Sequence, residues 1–111
     1  MSETPDLMSH TALLPLRTIS EANASQREHW ATKHRRHKRQ RFQTWQVLRA
    51  EWGQLLFGWE TSAIITLTRI APRALDEGDN LAMSMKSVRD GVADWLGTQD
   101  NDPLLTWRYA Q

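Results

Sequence analysis

Carboxylates close together along a chain can hold a divalent cation, and Leu75-Asp76-Glu77-Gly78-Asp79-Asn80 supplies such a run. Asp90, Asp94, Asp100 and Asp102 follow it, with Lys86 among them. Hard cations such as Mg²⁺ take oxygen ligands, a few carboxylates completed by water and substrate phosphate. Phosphodiester hydrolysis uses such an ion to activate water and neutralise the scissile phosphate. A lysine nearby adds a fixed positive charge for the transition state. The same residues also have a plainer reading. Asp79-Asn80 ahead of an apolar run is an ordinary helix cap, Asp90 and Asp94 an ordinary solvated face, and Asp100-Asn101-Asp102-Pro103 a good turn. Spacing alone leaves both readings open.

The formal net charge of +1 conceals two opposed segments. Arg27, Lys33, Arg35, Arg36, Lys38, Arg39 and Arg41 face a single acid, Glu28, so residues 27–41 carry +6. Residues 74–103 hold seven acids against Lys86 and Arg89, leaving −5. Cations set on all sides of a helix suit tracking phosphates, and the acids would repel phosphate unless a cation lies between. Trp30 and Trp45 are candidates for stacking on unpaired bases. His34 and His37, three apart, have metal-ligand spacing, but the cations around them disfavour a metal. With no cysteine there is no disulfide, thiolate site or cysteine nucleophile. No apolar run has the length of a membrane span, and Met1–His10 has no signal-peptide core. These features fit a cytoplasmic protein.

The elements that must position these groups follow from periodicity. Residues 1–10 read as a flexible leader and 11–111 as one domain. Thr11–Ile19 reads as an edge strand, since proline is tolerated there. Asn23 or Ser25 can cap a helix starting near Gln26 and running to residue 56, basic in its first half, with Phe42, Trp45, Leu48, Trp52, Leu55 and Leu56 as an apolar stripe and Gly58 closing it. Ser62–Ile70 reads as a strand with Ala63, Ile65 and Leu67 on one face. Asn80–Leu96 reads as one helix with the stripe Leu81, Met85, Val88, Val92 and Trp95/Leu96. At 100° per residue Asp79, Lys86, Asp90 and Asp94 lie within ~80° of one another, opposite that stripe. Gly97 stops the helix, and Leu104–Tyr109 reads as a last strand.

In order along the chain, Leu75-Asp76-x-x-Asp79-Asn80-Leu81, Lys86, Asp90-Gly91 and Leu96-Gly97-x-x-Asp100 resemble the RusA-like family of Holliday junction resolvases, in the form common in phages and prophages. The strand ending Thr68-Arg69-Ile70-Ala71-Pro72-Arg73 and the Asn23, His29-Trp30 and basic stretch fit the same pattern, over roughly residues 13 to 110. The resemblance implies a small α+β fold, a mixed sheet packed with two helices, assembled as a homodimer. It implies an Mg²⁺-dependent endonuclease that cuts four-way or other branched DNA. Asp76, Asp79 and Asp100 would be metal ligands, with Asp102 as the alternative or additional one, Lys86 the active-site cation, and Arg73 a DNA contact beside the basic segment. Three departures stand out. Two residues separate Asp76 from Asp79, where the original pattern has one. Gln99 occupies one position of an expected aspartate pair. The chain ends at Gln111, where relatives add a further strand. The rivals to nuclease activity are a catalytically degenerate DNA-binding relative and a small phage regulatory or interaction protein.

Overall fold

The long proline-free basic stretch forms α1, Trp30–Trp52. The computed structural model describes residues 11–18, 30–53, 62–71 and 79–111, with Asp79 and Asn80 described by backbone alone. On α1 the buried side chains are Arg36, Gln40, Thr44 and Leu48, one every fourth residue. Three of the four are polar, so whatever covers this row must supply hydrogen-bond partners. The expected stripe is only partly buried. Leu48 lies in the core and Trp45 and Trp52 pack against it, whereas Phe42 is 55% exposed. Leu55 and Leu56 lie outside the described residues.

The helix stops earlier than the pattern of apolar residues predicts. Gly53 adopts φ 72°, a left-handed conformation that costs glycine little. Its N–H donates to the Arg49 carbonyl at 2.8 Å, and its own carbonyl accepts from Trp95 Nε1 at 2.7 Å. Gly58, the expected stop, and residues 26–29, the expected start, lie outside the described residues.

Two strands form where β-branched and aromatic residues cluster: β1, Ala63–Thr68, and β2, Leu105–Ala110. They pair in parallel, Ala63 opposite Leu105 through Thr68 opposite Ala110. Ala63, Ile65 and Leu67 face inward, and Ile64, Thr66 and Thr68 face out, as the alternation predicts. Among the described residues this is the whole sheet, parallel instead of the expected mixed arrangement.

Residues 11–18 alternate between exposed and half-buried like a strand but join no ladder. Pro15 has no N–H to give, and the Leu16 N–H turns back to the Leu14 carbonyl at 2.8 Å. That is a γ-turn centred on proline, whose fixed φ suits it. Ala12, Leu14 and Leu16 still pack against the core. Gln40 Nε2 donates to the Arg17 carbonyl at 2.8 Å and Arg69 Nε to Thr18 Oγ1 at 3.2 Å, tying the segment to α1 and to the end of β1.

Between the strands come α2, Asp79–Ser84, and α3, Lys86–Leu96, where one helix is expected. Met85 sits between them at φ −102°, ψ 4°. Ser84 Oγ donates to the Leu81 carbonyl at 2.8 Å, and the Met85 N–H reaches back only three residues, to Ala82 at 3.1 Å. A hydroxyl that competes for a helix carbonyl in this way favours a break. The apolar stripe survives it: Leu81, Met85, Val88, Val92, Trp95 and Leu96 are all buried. Gly97, at φ 77°, ends α3 as expected. The chain is thus an α+β fold in which α1 and α3 pack on each other and share one core with the strands. No described helix is long and apolar enough to cross a membrane.

Candidate functional site

The polar side of α3, whose plainer reading is a solvated face, is partly covered by α1. Gly91 makes this possible. A Cβ there would lie 2.5 Å from the Arg41 carbonyl oxygen and 2.6 Å from Thr44 Cβ. Only glycine permits so close a helix crossing. Thr44 is fully buried beside it, its hydroxyl donating to the Gln40 carbonyl at 2.8 Å.

Acids on α3 and bases on α1 meet along this seam. His37 Nε2 lies 3.1 Å from Asp90 Oδ2, and His37 Nδ1 lies 2.9 Å from Ser87 Oγ. One turn on, Arg41 holds Asp94 in a fork, Nε to Oδ2 at 2.6 Å and a terminal nitrogen to Oδ1 at 2.7 Å. Ser87, His37 and Asp90 have the residue types of a hydrolase triad. Here, however, serine and aspartate share one helix, three residues apart, and Ser87 is buried at the seam. The arrangement is a clasp between helices.

Asp90 also accepts from Lys86. The Lys86 ammonium is bound at 2.9 Å by Asp90 Oδ1 and at 2.9 Å by Asp100 Oδ2, joining the start of α3 to the turn after it. Burial works against the charged lysine, but its hydrogen bonds to Asp100 and Asp90 outweigh that and hold it above the ordinary lysine value. Asp100 is held below the ordinary carboxylate range, chiefly by the hydrogen bond from Lys86. It is therefore ionised at neutral pH.

Arg89 engages the same carboxylate oxygen of Asp100. Its Nε lies 3.0 Å from Asp100 Oδ2 as an ion pair, although that N–H is buried and aligned with no acceptor. Its terminal nitrogens donate to Tyr109 Oη at 3.0 Å and to the Asp100 carbonyl at 3.1 Å. The guanidinium lies 4.7 Å over the Trp107 ring, whose Nε1 donates to the same Asp100 carbonyl at 2.8 Å. Two residues of β2 thus set the turn that carries Asp100. A cleft of about 370 Å³ opens above the site, lined by Arg41, Lys86, Asp90, Asp94, Gln99 and Asp100.

Of the residues expected to hold metal or act in catalysis, Lys86 and Asp100 come together. Asp102 is engaged elsewhere: its carboxylate accepts from Thr98 Oγ1 at 2.6 Å and from the Leu104 N–H at 2.9 Å, closing the turn into β2. Those two hydrogen bonds hold it below the usual carboxylate range. Asp79 opens α2, but the break at Met85 interrupts the 100° count that would place it on the face of Lys86, Asp90 and Asp94. Asp76 lies outside the described residues. Among those described, no three His, Asp or Glu side chains converge as metal ligands.

The expected DNA contacts divide similarly. Arg35, Lys38 and Arg39 are exposed and Lys33 is half-buried. Arg36 is 7% exposed, turned inward, and Arg41 is committed to Asp94. Arg27 and Arg73 lie outside the described residues. His34, the other half of the candidate metal pair, is exposed while His37 faces the seam. The clasp is hidden in the sequence because His37 and Arg41 look like part of a uniformly basic run. One signal is present: His37 and Arg41, four apart on one helix, match the acids Asp90 and Asp94, four apart on another. No family model, no curated protein and no solved structure matches the chain.

Proposed function

We propose that the chain is a RusA-like, Mg²⁺-dependent endonuclease that acts as a homodimer on four-way or other branched DNA. The observation that carries this reading is Lys86, held 2.9 Å from both Asp90 and Asp100 at the mouth of a polar cleft. Asp100, an anionic oxygen donor whose backbone is anchored by Arg89 and Trp107, supports the metal part of this reading. Asp76, Asp79 and Asp100 would hold Mg²⁺, which supplies charge neutralisation at the scissile phosphate and activation of water. Asp90 orients the lysine instead of binding metal. With a phosphate in the cleft, Lys86 is placed to exchange a carboxylate for a phosphate oxygen and oppose the charge that develops in the transition state. The exposed cations Arg35, Lys38 and Arg39 supply sequence-independent grip on the backbone.

The test is cleavage of a synthetic four-way junction with Mg²⁺. Wild type nicks it, Asp76→Asn, Asp79→Asn and Asp100→Asn bind but do not cut, and Lys86→Met loses roughly 10²-fold in rate. Full activity in the aspartate variants would end the metal reading. One observation favours a second reading, a degenerate relative that binds without cutting: Asp100 is already shared by Lys86 and Arg89. Binding by wild type without cleavage under any divalent ion selects that reading. Binding that is absent or insensitive to salt would favour the third, a small phage regulatory or interaction protein.

A further inference from the structure

The outward side of α1 is more than a row of cations. Arg35, Lys38, Phe42, Trp45 and Arg49 step by three, four, three and four, which places them within ~80° of one another on the helix. Over 14 residues the stripe is about 21 Å long. Phe42 is 55% exposed, unusual for a large aromatic ring, and is held in a near-parallel stack on Trp45, with centroids 5.7 Å apart and planes at 22°. Trp45 packs against the core and so fixes the ring above it. The Arg49 guanidinium lies 5.3 Å over the same indole. The only acid on α1, Glu51, lies half a turn away from Phe42. Unlike His37 and Arg41, Lys38 and Arg39 make no ion pair among the described residues.

We infer that this stripe binds unpaired nucleotides of single-stranded nucleic acid, with Phe42 as the stacking platform and Arg35, Lys38 and Arg49 on the adjoining phosphates. An exposed, pre-oriented aromatic face flanked by cations with no acid among them is what a base and its phosphates require together. A second copy docked stripe to stripe would bring like charge and meet repulsion. The inference rests on the reading that the chain binds nucleic acid, but not on cleavage or metal.

The experiment measures fluorescence anisotropy of labelled oligothymidylate, and of a blunt duplex of equal length, with full-length protein in EDTA. Phe42→Leu keeps an apolar side chain and removes the ring, and thermal melting checks that each variant folds. Phe42→Leu is expected to lose about ten-fold in single-strand affinity, the weight of one stacked base, with duplex affinity changed less than about two-fold. Lys38→Gln is expected to reduce the salt slope for the single strand by about one. Single-strand affinity unchanged in Phe42→Leu overturns the inference alone, because duplex binding then still supports the wider reading. No binding to either oligonucleotide overturns both. Loss of a dimer in Phe42→Leu with single-strand affinity intact assigns the stripe to self-association and also overturns it.

Discussion

The two sides of α1 are built from the same residue types and have opposite fates. On the inner side Arg36 and Gln40 are buried, and His37 and Arg41 are matched to Asp90 and Asp94 of α3. On the outer side Arg35, Lys38, Arg39 and Arg49 stand exposed around Phe42. The difference teaches that a charge count overstates what a helix offers to DNA. Part of the +6 segment neutralises part of the −5 segment within the molecule itself, and the near-neutral total is partly a structural arrangement.

The strongest way to break the comparison is at the crossing. Gly91→Ala should destabilise by roughly 3 kcal/mol, since its Cβ would meet the Arg41 carbonyl, which cannot move aside cheaply. That exceeds the roughly 1 kcal/mol by which alanine favours a helix over glycine. Urea unfolding measures it, and a variant as stable as wild type would show that the helices do not approach so closely.

A smaller effect concerns pH. Asp100 is depressed in the folded state, chiefly by the Lys86 hydrogen bond, so it binds fewer protons folded than unfolded. Its stabilisation is therefore present above the ordinary carboxylate value and is lost as pH falls through the depressed one. Acid titrations of melting temperature should show a shallower decline for Asp100→Asn than for wild type. Identical slopes would mean that the carboxylate is not held by Lys86.

The smallest effects sharpen the inner–outer contrast. Arg41→Gln should cost about 0.5 kcal/mol, because the Arg41–Asp94 fork is substantially solvent-exposed, and should leave duplex DNA affinity nearly unchanged. Arg39→Gln should leave stability within about 0.5 kcal/mol and weaken DNA binding instead. Paired melting and binding measurements decide it, and the reverse pattern would exchange the roles of the two faces.

Much of this architecture is visible in the residues. The alternation of Ala63, Ile65 and Leu67 and the stripe from Leu81 to Leu96 identify their elements because each period matches one burial geometry. Gly97 marks its helix end for the same local reason. What was not legible depends on neighbours distant in sequence. A polar face opposite an apolar stripe reads as solvated until α1 is seen to cover it. Pro15 diverts a strand-like segment through one local hydrogen bond, and Ser84 interrupts a helix whose apolar pattern continues unbroken. In the candidate site, Lys86 and Asp100 were legible from type and order. The Arg89–Trp107 support was not, because nothing local ties a helix arginine to a tryptophan on the following strand.

The register of β1 with β2 and the clasp between α1 and α3 have a consequence for how this chain acquires its shape. Ala63 pairs with Leu105, and His37 reaches Asp90, 53 residues along the chain. Each such contact closes a long loop before it returns any stabilisation. Neither α1 nor β1 finds its main partner next to it in sequence, so the half that carries the cations has little to hold it until the half that carries the acids is in place. Such a topology makes folding slow and mutually dependent, with the two oppositely charged segments drawing each other across the gap.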